Sequence, residues 1–391
     1  MVYGEMYGVR MELKMIYNDF KGKKLSALGL GCMRFPTNES NEIDEPAVRE
    51  MVAYAMKKGI NYYDTAWMYH SGQSEIVTGK ILNEYPRDSY YIATKFPGFD
   101  TESMSKVEEI FEKQLEKTGM KYFDFYLFHN VCEGNIDGYL DEKYGIFNYL
   151  MKQKENGRIK HLGFSAHGNI ETLTRFLDKY GYAMEFGQLQ LNWLDYTAQN
   201  GKEKIELLTK YNVPVWVMEP VRGGMLVSVG EKYEDKLEEL RPEESVPGWA
   251  FRFLQSIPEV KVTLSGMSNM EQLKANIATF ETYEPLNEKE FDTIVDMGVE
   301  MLKTNTVPCT ACAYCVDHCP MGLDIPKIIK IYNRHCFTGS KFVSMSVLDS
   351  LDENKRPDAC IGCQSCESIC PQQIKISEVM SDFALRTTNK E

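Results

Sequence analysis

The feature that most constrains this chain is a short cysteine pattern that occurs twice near the C-terminal end. Both copies read C-x2-C-x2-C-x3-C-P, as CTACAYCVDHCP and CIGCQSCESICP. Thiolates are soft ligands, and this is the spacing of bacterial 4Fe-4S proteins, in which three close cysteines bind one iron cube. The sequence therefore predicts two 4Fe-4S clusters. The predicted ligands are Cys309, Cys312, Cys315, Cys319, Cys360, Cys363, Cys366 and Cys370.

The fourth cysteine of each run is predicted to bind the cluster of the other run, as in two-cluster ferredoxins. Cys319 then joins the second run, and Cys370 joins the first. The alternative is a pair of structural zinc sites, because C-x2-C pairs also bind zinc. A zinc site usually takes two separated pairs of ligands, whereas each run here has three evenly spaced cysteines, a fourth and then a proline. The spacing favours iron–sulfur clusters.

The stretch between the two cysteine runs has the apolar spacing of helices. The segments DIPKIIKIYNRH and KFVSMSVLDSL both repeat apolar residues at helical intervals. We therefore predict a small, mostly α-helical ferredoxin-like domain at residues 304–391, rather than a βαβ ferredoxin. A helix in NEKEFDTIVDMGVEML should precede it, followed by a link at residues 304–308.

The longer N-terminal part alternates short β-branched or aromatic segments with helix-like segments. Eight such alternations predict an α/β fold of the (β/α)8 TIM-barrel type over residues 15–303, entered through a hairpin that turns near Gly22. A doubly wound sheet is the alternative, but its G-x-G-x-x-G fingerprint is absent after the first strand. The predicted strands lie at residues 25–33, 62–66, 90–96, 123–130, 159–168, 186–193, 214–221 and 260–267.

Charge and hydropathy exclude several kinds of partner. The formal net charge is −13, which argues against nucleic-acid binding. The sequence has no apolar run long enough to span a membrane, and its opening residues lack the apolar core of a signal peptide. Cysteines in such a chain favour metal binding over disulfides. We therefore expect a cytoplasmic protein that binds neither nucleic acid nor membrane.

Four titratable residues lie at or just after the ends of consecutive predicted strands. Asp64 ends the second strand, with Tyr69 in the loop that follows. Lys95 ends the third strand and His129 the fourth. Each alone has an ordinary explanation, as a helix cap, a solvated lysine or an exposed histidine. However, consecutive βα loops converge on the mouth of a barrel, where the active sites of this fold lie, so the set predicts an active site.

These residue types suit the reduction of a carbonyl group. Hydride addition leaves an oxyanion that needs a proton, and tyrosine, with an ordinary pKa of about 10, is a weak acid near neutrality. The nearby lysine ammonium is expected to lower that pKa. A carboxylate would hold the lysine in place and keep it charged. A histidine donor would orient the substrate oxygen.

With these residues in view, the sequence resembles the aldo-keto reductases, in particular the branch with a C-terminal ferredoxin-type domain. The matching segments are DTAWMY (64–69), TKF (94–96), YLFHN (126–130), GFSAHG (163–168), GQLQLNW (187–193), EPVRGG (219–224) and SGMSNMEQLKAN (265–276). The resemblance implies interconversion of carbonyl compounds and alcohols with NAD(H) or NADP(H). Tyr69 would be the proton donor or acceptor, Lys95 and Asp64 its tuning pair, and His129 the group that orients the substrate.

The resemblance also implies that the dinucleotide lies across the barrel mouth. Ser165 and Gln188 would hold its carboxamide, but Ala166 stands where the family often has asparagine, so His167 is the alternative partner. Met218 would lie under the nicotinamide ring. The other cofactor-binding residues implied by the resemblance are Gly223 and Gly224 near the pyrophosphate, and Ser268, Gln272 and Asn276 near the adenosine.

The preference between NAD and NADP depends on the residues near the adenosine ribose. Many family members use lysine and arginine there to bind the extra phosphate. Gly266 and Gln272 occupy the matching positions here. The sequence therefore does not predict NADP preference, and NAD is at least as well supported. Arg222 and Lys274 remain as basic candidates for a phosphate.

Three functional hypotheses follow for the two regions together. In the first, an oxidoreductase acts on a small carbonyl or alcohol substrate and the clusters exchange electrons with a redox partner, a ferredoxin or a flavoprotein. Nicotinamides transfer hydride and clusters single electrons, and a flavin normally connects the two, but the sequence has no flavin signature. In the second hypothesis the protein is an electron-transfer or interaction subunit whose barrel is not a hydride-transfer catalyst. In the third the clusters only brace the fold.

Overall fold

The computed structural model describes residues 3–6, 9–12, 14–40, 42–305, 315–338, 351–370 and 373–388, together with the single residues 307, 309 and 348. The chain forms two compact units. The first comprises Met1–Gly223 and Pro247–Val295, and the second comprises Gly224–Val246 and Asp296–Glu391. The domain boundary between residues 303 and 304 stays a prediction.

The first unit contains a closed barrel of eight parallel strands. Each strand pairs with the next along the chain, and the eighth pairs with the first, which confirms the (β/α)8 fold and excludes a doubly wound sheet. All eight predicted strands are present. In chain order β1 to β8 are Leu28–Gly31, Tyr62–Asp64, Tyr91–Phe96, Phe123–Val131, Ile159–Ala166, Gly187–Gln190, Val215–Met218 and Val260–Ser265.

Amphipathic helices alternate with the strands. The helix Glu45–Lys57 begins at Asp44, whose side chain caps it, and the helix Val107–Thr118 ends at Gly119, which has a φ of 64°. Capping carboxylates and left-handed glycines commonly mark helix ends. The other α-helices that begin before residue 300 are Gln73–Leu82, Thr101–Met104, Ile136–Leu140, Ile146–Glu155, Ile170–Tyr180, Asp195–Ala198, Gly201–Lys210, Glu231–Leu240, Val246–Gln255, Met270–Phe280 and Glu288–Asn305.

An antiparallel hairpin precedes the barrel, as predicted. Its strands are Tyr17–Phe20 and Lys23–Ser26, and its turn places Gly22 at a φ of 79°. Phe20 and Leu25 belong to a buried core that includes inward-facing barrel residues. The hairpin therefore closes one end of the barrel with apolar side chains. A further short hairpin, formed by residues 3–6 and 9–12, was not predicted.

The second unit is mostly helical in the part that the structure describes, which confirms the predicted class. Its helices after residue 305 are Ile325–Thr338 and Ile376–Thr388, with 3-10 turns at Glu353–Lys355 and Pro357–Ala359. The predicted helix in KFVSMSVLDSL falls largely outside the described residues. Across the described residues of both units, no helix combines the length and hydropathy needed to cross a bilayer.

Candidate active site

The four residues predicted for the active site come together at the carboxyl ends of the barrel strands. Asp64 is the last residue of β2, and Lys95 lies near the end of β3; their exposed fractions are 3% and 0%. His129 lies near the end of β4. Tyr69 follows β2 at the start of a short 3-10 turn. Lys95 is therefore not the solvated strand-end lysine of the ordinary explanation.

Lys95 is the centre of this group. Its Nζ donates to Asp64 Oδ1 at 2.5 Å and to the Thr65 carbonyl oxygen at 2.8 Å. The same nitrogen lies 3.3 Å from the Tyr69 hydroxyl oxygen. The rings of Tyr69 and His129 meet edge to face, with their centroids 6.1 Å apart. The carboxylate, the amine, the phenol and the imidazole thus form a row in which each group lies next to the following one.

Burial and pairing together set the charges of the lysine and the phenol. Burial alone would lower the pKa of Lys95, but the Asp64 carboxylate outweighs it and the pKa is raised, so the ammonium persists. Burial raises the pKa of Asp64. Burial also raises the pKa of Tyr69, and Lys95 offsets only part of this effect. The expectation that Lys95 would bring the Tyr69 pKa below its ordinary value was therefore wrong, because desolvation is the larger effect.

The His129 imidazole is neutral at physiological pH. Burial lowers its pKa well below the ordinary value, and the positive charge of Lys95 lowers it further. Its Nδ1 is buried and has no hydrogen-bond partner among the described residues. A buried nitrogen without an acceptor is better left unprotonated, so we assign the proton to Nε2. Nε2–H is the donor that a substrate oxygen requires.

The loop after Tyr69 has an unusual backbone. His70 and Ser71 have φ values of 50° and 53°, and Gly72 follows with a φ of 88°. Left-handed conformations at residues other than glycine cost energy and are concentrated at functional sites. The His70 ring stacks on Phe35, with their centroids 6.2 Å apart. This loop fixes the backbone directly after the predicted proton donor.

A second polar network lies behind the tetrad, on the helix side of β3. The buried Glu75 carboxylate accepts hydrogen bonds from three side chains. The donors are Thr94 Oγ1 at 2.6 Å, Gln114 Nε2 at 2.7 Å and Lys117 Nζ at 2.6 Å. Gln114 Nε2 also donates to the Lys95 carbonyl oxygen at 2.9 Å. The network therefore holds the Lys95 backbone from outside the barrel.

These outer residues were not predicted from the sequence. The available signal was a buried-face glutamate near the start of the helix Gln73–Leu82, which periodicity alone does not separate from a solvated one. Gly79 in this helix lets the chain approach the next helix closely. A Cβ at Gly79 would lie 2.2 Å from the Thr118 carbonyl oxygen. Lys117 also lies 4.6 Å from the centroid of the Trp67 ring, in the loop of the tetrad.

The residues predicted to hold a nicotinamide carboxamide lie on neighbouring strands. Ser165 and Gln188 are paired across β5 and β6, and both are 1% exposed. Gln188 Oε1 is buried and has no hydrogen-bond partner among the described residues. Met218 ends β7 and is half-buried. A buried polar atom without a partner fits a site for a polar ligand.

The loop after β7 has several left-handed residues. Glu219 and Arg222 have φ values of 59° and 49°, and Gly223 follows at 64°. Gly224, at 89°, belongs to the second unit. Arg222 Nε lies 3.3 Å from Asp195 Oδ1, so part of its charge is already paired. The positive φ values at Gly223 and Gly224 agree with the need for glycine at these two positions.

Arg34, in the loop after β1, was not among the predicted residues. Its guanidinium Nη2 lies 3.8 Å from Glu219 Oε1. A Cβ at Gly266 would lie 3.1 Å from the Arg34 Cβ and Cγ, so the absence of a side chain there makes room for the arginine stem. Packing against Arg34 therefore explains why position 266 is a glycine and not a basic residue.

The residues predicted for the adenosine end serve local structure. Gln272 Oε1 accepts a hydrogen bond from the Ser268 backbone N–H at 2.8 Å. Asn276 Nδ2 donates to Ser265 Oγ at 3.1 Å. The first contact supports the start of the helix Met270–Phe280, whose N-cap is Asn269, and the second joins the helix to the end of β8. Lys274, a candidate for a phosphate, lies 5.7 Å from the Tyr54 ring centroid. Their roles as cofactor ligands stay predictions.

In the second unit, one cavity is lined by four cysteines. They are Cys319, Cys360, Cys363 and Cys366, among mainly apolar neighbours. The Leu323 backbone N–H donates to Cys319 Sγ at 3.4 Å, a contact typical of iron–sulfur ligands.

For the first run, Cys309 and Cys315 are described and pack in the apolar core of this unit, whereas Cys312 lies outside the described residues. Cys370 also packs against this core. In the described part of the chain, no three His, Cys, Asp or Glu side chains gather around a point that one metal ion could occupy.

A closed (β/α)8 barrel with a buried Asp–Lys pair, a tyrosine and a histidine at its mouth is the arrangement of a TIM-barrel oxidoreductase. Residues 27–298 match the model of the aldo/keto reductase family, and residues 308–374 match that of a 4Fe-4S dicluster domain. The chain belongs to the aldo/keto reductase family and carries a C-terminal 4Fe-4S domain. The resemblance stated from the sequence is thereby confirmed.

Individual relatives are distant. A probable aldo-keto reductase 1 of Glycine max is 27% identical over 54% of this chain. The matched part covers 60% of that protein's length. An L-galactose dehydrogenase of Arabidopsis thaliana is 25% identical over 76% of this chain and 98% of its own. Among solved structures, the holo form of aldo-keto reductase AKR11C1 from Bacillus halodurans superposes with a TM-score of 0.59 at 24% identity, covering 72% of this chain and 96% of that one. This structural likeness shows the fold alone.

Proposed function

We propose that the barrel interconverts a carbonyl compound and its alcohol with NAD(H) or NADP(H), and that the C-terminal domain carries two 4Fe-4S clusters for electron transfer. The observation that carries the first part is the connected series Asp64, Lys95, Tyr69 and His129, with Lys95 Nζ 2.5 Å from Asp64 and 3.3 Å from Tyr69. A bound nicotinamide supplies or accepts the hydride. The protein residues supply the proton and orient the substrate.

In the direction of reduction, Tyr69 donates its hydroxyl proton to the substrate oxygen. The raised pKa of Tyr69 keeps the phenol protonated near neutrality. The Lys95 ammonium, 3.3 Å away, stabilises the phenolate that remains. Asp64 keeps Lys95 charged and fixes its side chain. In the direction of oxidation Tyr69 would first have to lose its proton, which its raised pKa disfavours near neutrality, and the same Lys95 contact would stabilise the phenolate that accepts the alcohol proton.

His129 orients the substrate oxygen in this proposal. It is neutral, and its Nε2–H donates a hydrogen bond to the oxygen on which charge develops. The ring is held by two aromatic neighbours, Tyr69 and Phe99, whose centroids lie 6.1 Å and 4.9 Å from its own. A donor held in place before the reaction stabilises the developing charge without reorganisation.

We propose NAD or NADP as the dinucleotide, with NAD at least as well supported. Gln272, at a position where many family members have a basic residue, accepts the Ser268 backbone N–H with its Oε1. Gly266 makes room for Arg34. Neither position offers a positive charge to a ribose phosphate. Arg222, which lies near Asp195, is already partly paired.

For the second cluster we propose Cys360, Cys363, Cys366 and Cys319 as ligands, because these four line one cavity. Cys309, Cys312, Cys315 and Cys370 would then bind the first. The clusters transfer single electrons, so they would exchange electrons with a ferredoxin-type or flavin-containing partner protein, and of these two only the flavin would connect them with two-electron chemistry. A flavin on this chain itself has no support in the sequence.

The barrel proposal is tested by two matched tyrosine substitutions. Tyr69→Phe removes the proton donor, and we expect the rate of carbonyl reduction to fall by roughly 10²–10⁴-fold, the range of general acid catalysis. Tyr126→Phe is the control, because Tyr126 donates to Gln114 in the outer network and not to the mouth. The measurement is anaerobic consumption of NADH and NADPH with a panel of aldehydes and ketones. Equal activity of the two variants, or no turnover by the wild type, would favour the electron-transfer subunit instead.

The cluster proposal is tested by chemical analysis of anaerobically purified protein. We expect about eight irons and eight sulfides per chain, as two 4Fe-4S cubes require. Cys319→Ala should lose about half of the iron, whereas Cys336→Ala, outside both runs, should keep it. Dithionite should bleach the visible absorbance if the clusters transfer electrons. Zinc in place of iron, or clusters that do not respond to dithionite, would contradict the proposal.

A further inference from the structure

Asn130, the residue after His129, has an unusual backbone. The pairing of β4 with β5 shifts register between Phe128 and Val131. Within this bulge Asn130 has a φ of 57°, a left-handed conformation that asparagine tolerates better than most residues. Bulges beside active sites redirect side chains. The bulge therefore sets the direction of the Asn130 side chain independently of the regular alternation of β4.

The backbone of Asn130 is held on both sides. Its N–H donates to Ser165 Oγ at 2.8 Å. Its carbonyl oxygen accepts a hydrogen bond from Asn135 Nδ2 at 2.8 Å, and Asn135 is itself 4% exposed. Asn130 is therefore fixed next to Ser165, one of the residues predicted to contact a carboxamide.

Two buried acceptors flank Ser165. Asn130 Oδ1 on β4 and Gln188 Oε1 on β6 both have no hydrogen-bond partner within the described part of the chain. Ser165, between them on β5, already accepts the Asn130 N–H, so its own O–H is left to donate. A buried acceptor without a partner costs about 1–3 kcal/mol, and two of them on the strands on either side of Ser165 indicate a ligand with two N–H donors and a carbonyl oxygen.

His167, the alternative considered from the sequence, is engaged elsewhere. Its Nδ1 lies 3.0 Å from Gln190 Oε1, and Gln190 Nε2 donates to Asp195 Oδ2 at 2.8 Å. His167 is also an exposed residue. Ala166 offers no polar side chain. Ala166 therefore cannot supplement Ser165 and Gln188, and the Nδ1 of His167 is already engaged by Gln190.

We infer that Asn130 is a cofactor-binding residue, and that Asn130 and Gln188 each accept one N–H of a primary carboxamide while the Ser165 hydroxyl donates to its carbonyl oxygen. The inference rests on the proposed function, in which that carboxamide belongs to a nicotinamide dinucleotide. It places the missing amide contact of this chain on β4 rather than after Ser165. A primary amide matches the two acceptors and one donor.

The test compares two dinucleotides that differ only in this group. The probes are NADH and its 3-acetylpyridine analogue, in which a methyl group replaces the amide nitrogen and both its donors. Dissociation constants are measured anaerobically by calorimetry on the complete holoprotein. We expect the wild type to bind the analogue at least tenfold more weakly than NADH, since each acceptor left unpaired costs a factor of this order.

Asn130→Gly is the informative variant, because glycine keeps the left-handed backbone and removes only the acceptor. We expect it to reduce the preference for NADH over the analogue by roughly tenfold. Asn130→Asp, which keeps acceptor oxygens, should restore much of it. His167→Ala is the matched control and should leave the preference unchanged. Tryptophan fluorescence checks that each variant is folded.

Three results would overturn the inference. In the first, Asn130→Gly keeps the wild-type preference for NADH over the analogue. In the second, His167→Ala loses that preference. In the third, Asn130→Gly changes only the KM for the carbonyl substrate. The last result would assign Asn130 to substrate binding. A wild-type protein that binds neither dinucleotide would overturn the proposed function as well, and so is distinguishable from the other three.

Discussion

Each of the two faces of strand β3 has a carboxylate–lysine pair beside it, but the two pairs have different roles. Lys95 points into the barrel and pairs with Asp64, and its neighbour Thr94 points outward to the pair formed by Glu75 and Lys117. Adjacent residues of a strand face opposite sides, so a buried carboxylate–lysine pair lies on each side of one strand. Both pairs are short, with nitrogen–oxygen distances of 2.5 Å and 2.6 Å.

The difference between the two faces is how fully the carboxylates are paired. On the outer face Glu75 accepts hydrogen bonds at both oxygens, from two side chains at one and from Lys117 at the other. On the inner face Asp64 Oδ2 is buried and lacks a partner among the described residues, and Lys95 extends to Tyr69. A saturated pair holds structure together, whereas an unsaturated one leaves groups available to a ligand.

Removing each lysine should separate these two roles and give the largest effects. Lys95→Met and Lys117→Met each leave a buried carboxylate without its cation, and we expect each to lower the unfolding free energy by about 3–5 kcal/mol. Only Lys95→Met should also abolish most carbonyl reduction by the protein that remains folded. All four tryptophans lie in the first unit, so denaturant titration followed by tryptophan fluorescence measures the barrel.

The matched pair of lysine variants can also contradict the comparison. Lys117→Met could reduce the turnover of folded protein as strongly as Lys95→Met does. The outer network would then act on the reaction through the Lys95 backbone or through Trp67, which lies 4.6 Å from Lys117. Lys113→Met, on an exposed face of the same helix, is the control for substitution of a lysine there.

A third carboxylate, that of Glu185, lies at the opposite end of the barrel and is also paired with cationic side chains. Burial would raise its pKa, but hydrogen bonds from His161, Lys154 and Lys21 outweigh burial and lower it below 4.5. A lowered pKa in the folded state stabilises above the unfolded pKa of about 4.3, and this stability is lost as the pH falls. Glu185→Gln should cost about 1.5–3 kcal/mol at pH 7.

The pH dependence separates this effect from packing. The difference in unfolding free energy between wild type and Glu185→Gln should shrink as the pH falls below about 4. Urea titrations at several pH values, read by tryptophan fluorescence, measure it. Glu155→Gln, at the exposed end of a helix, should show no such trend. A difference that stays constant with pH would mean that the glutamate acts through shape rather than charge.

The smallest expected effect is a flat pH profile of the inner face. The pKa of His129 lies well below its ordinary value of 6.5, and that of Tyr69 lies above 10.0. Both groups therefore keep their protons as donors across neutrality. The kcat for carbonyl reduction should be nearly constant from about pH 6 to 8. A fall in kcat as the pH drops through about 6.5 would show that His129 titrates, and the assignment of a neutral donor would be wrong.

Much of the fold followed from local patterns. The eight strands and the hairpin at Gly22 were predicted, because alternation and turn glycines act over a few residues. The tetrad was also predictable, since consecutive strand ends of a barrel face one mouth. The pKa direction of Tyr69 was not, because desolvation depends on every atom packed around the ring.

Other parts of the site had no local signal. Glu75 and Gln114 lie in different helices and meet only through the close approach at Gly79. Asn130 acquires its importance from a register shift between two strands. The predicted helix at residues 341–351 lies largely outside the described residues, as does Cys312, so their places stay predictions.

The sequence by itself determined the two cysteine runs, the order of strands and helices, and the membership of the tetrad, because ligand spacing and hydrophobic period are properties of neighbouring residues. Tertiary structure alone decided which buried polar groups are saturated and which are left open. Hydrogen-bond partners from distant segments are fixed only when strands close into a barrel and helices pack on it. The unpaired acceptors on the strands that flank Ser165 can therefore be recognised in the folded chain but not in the sequence pattern.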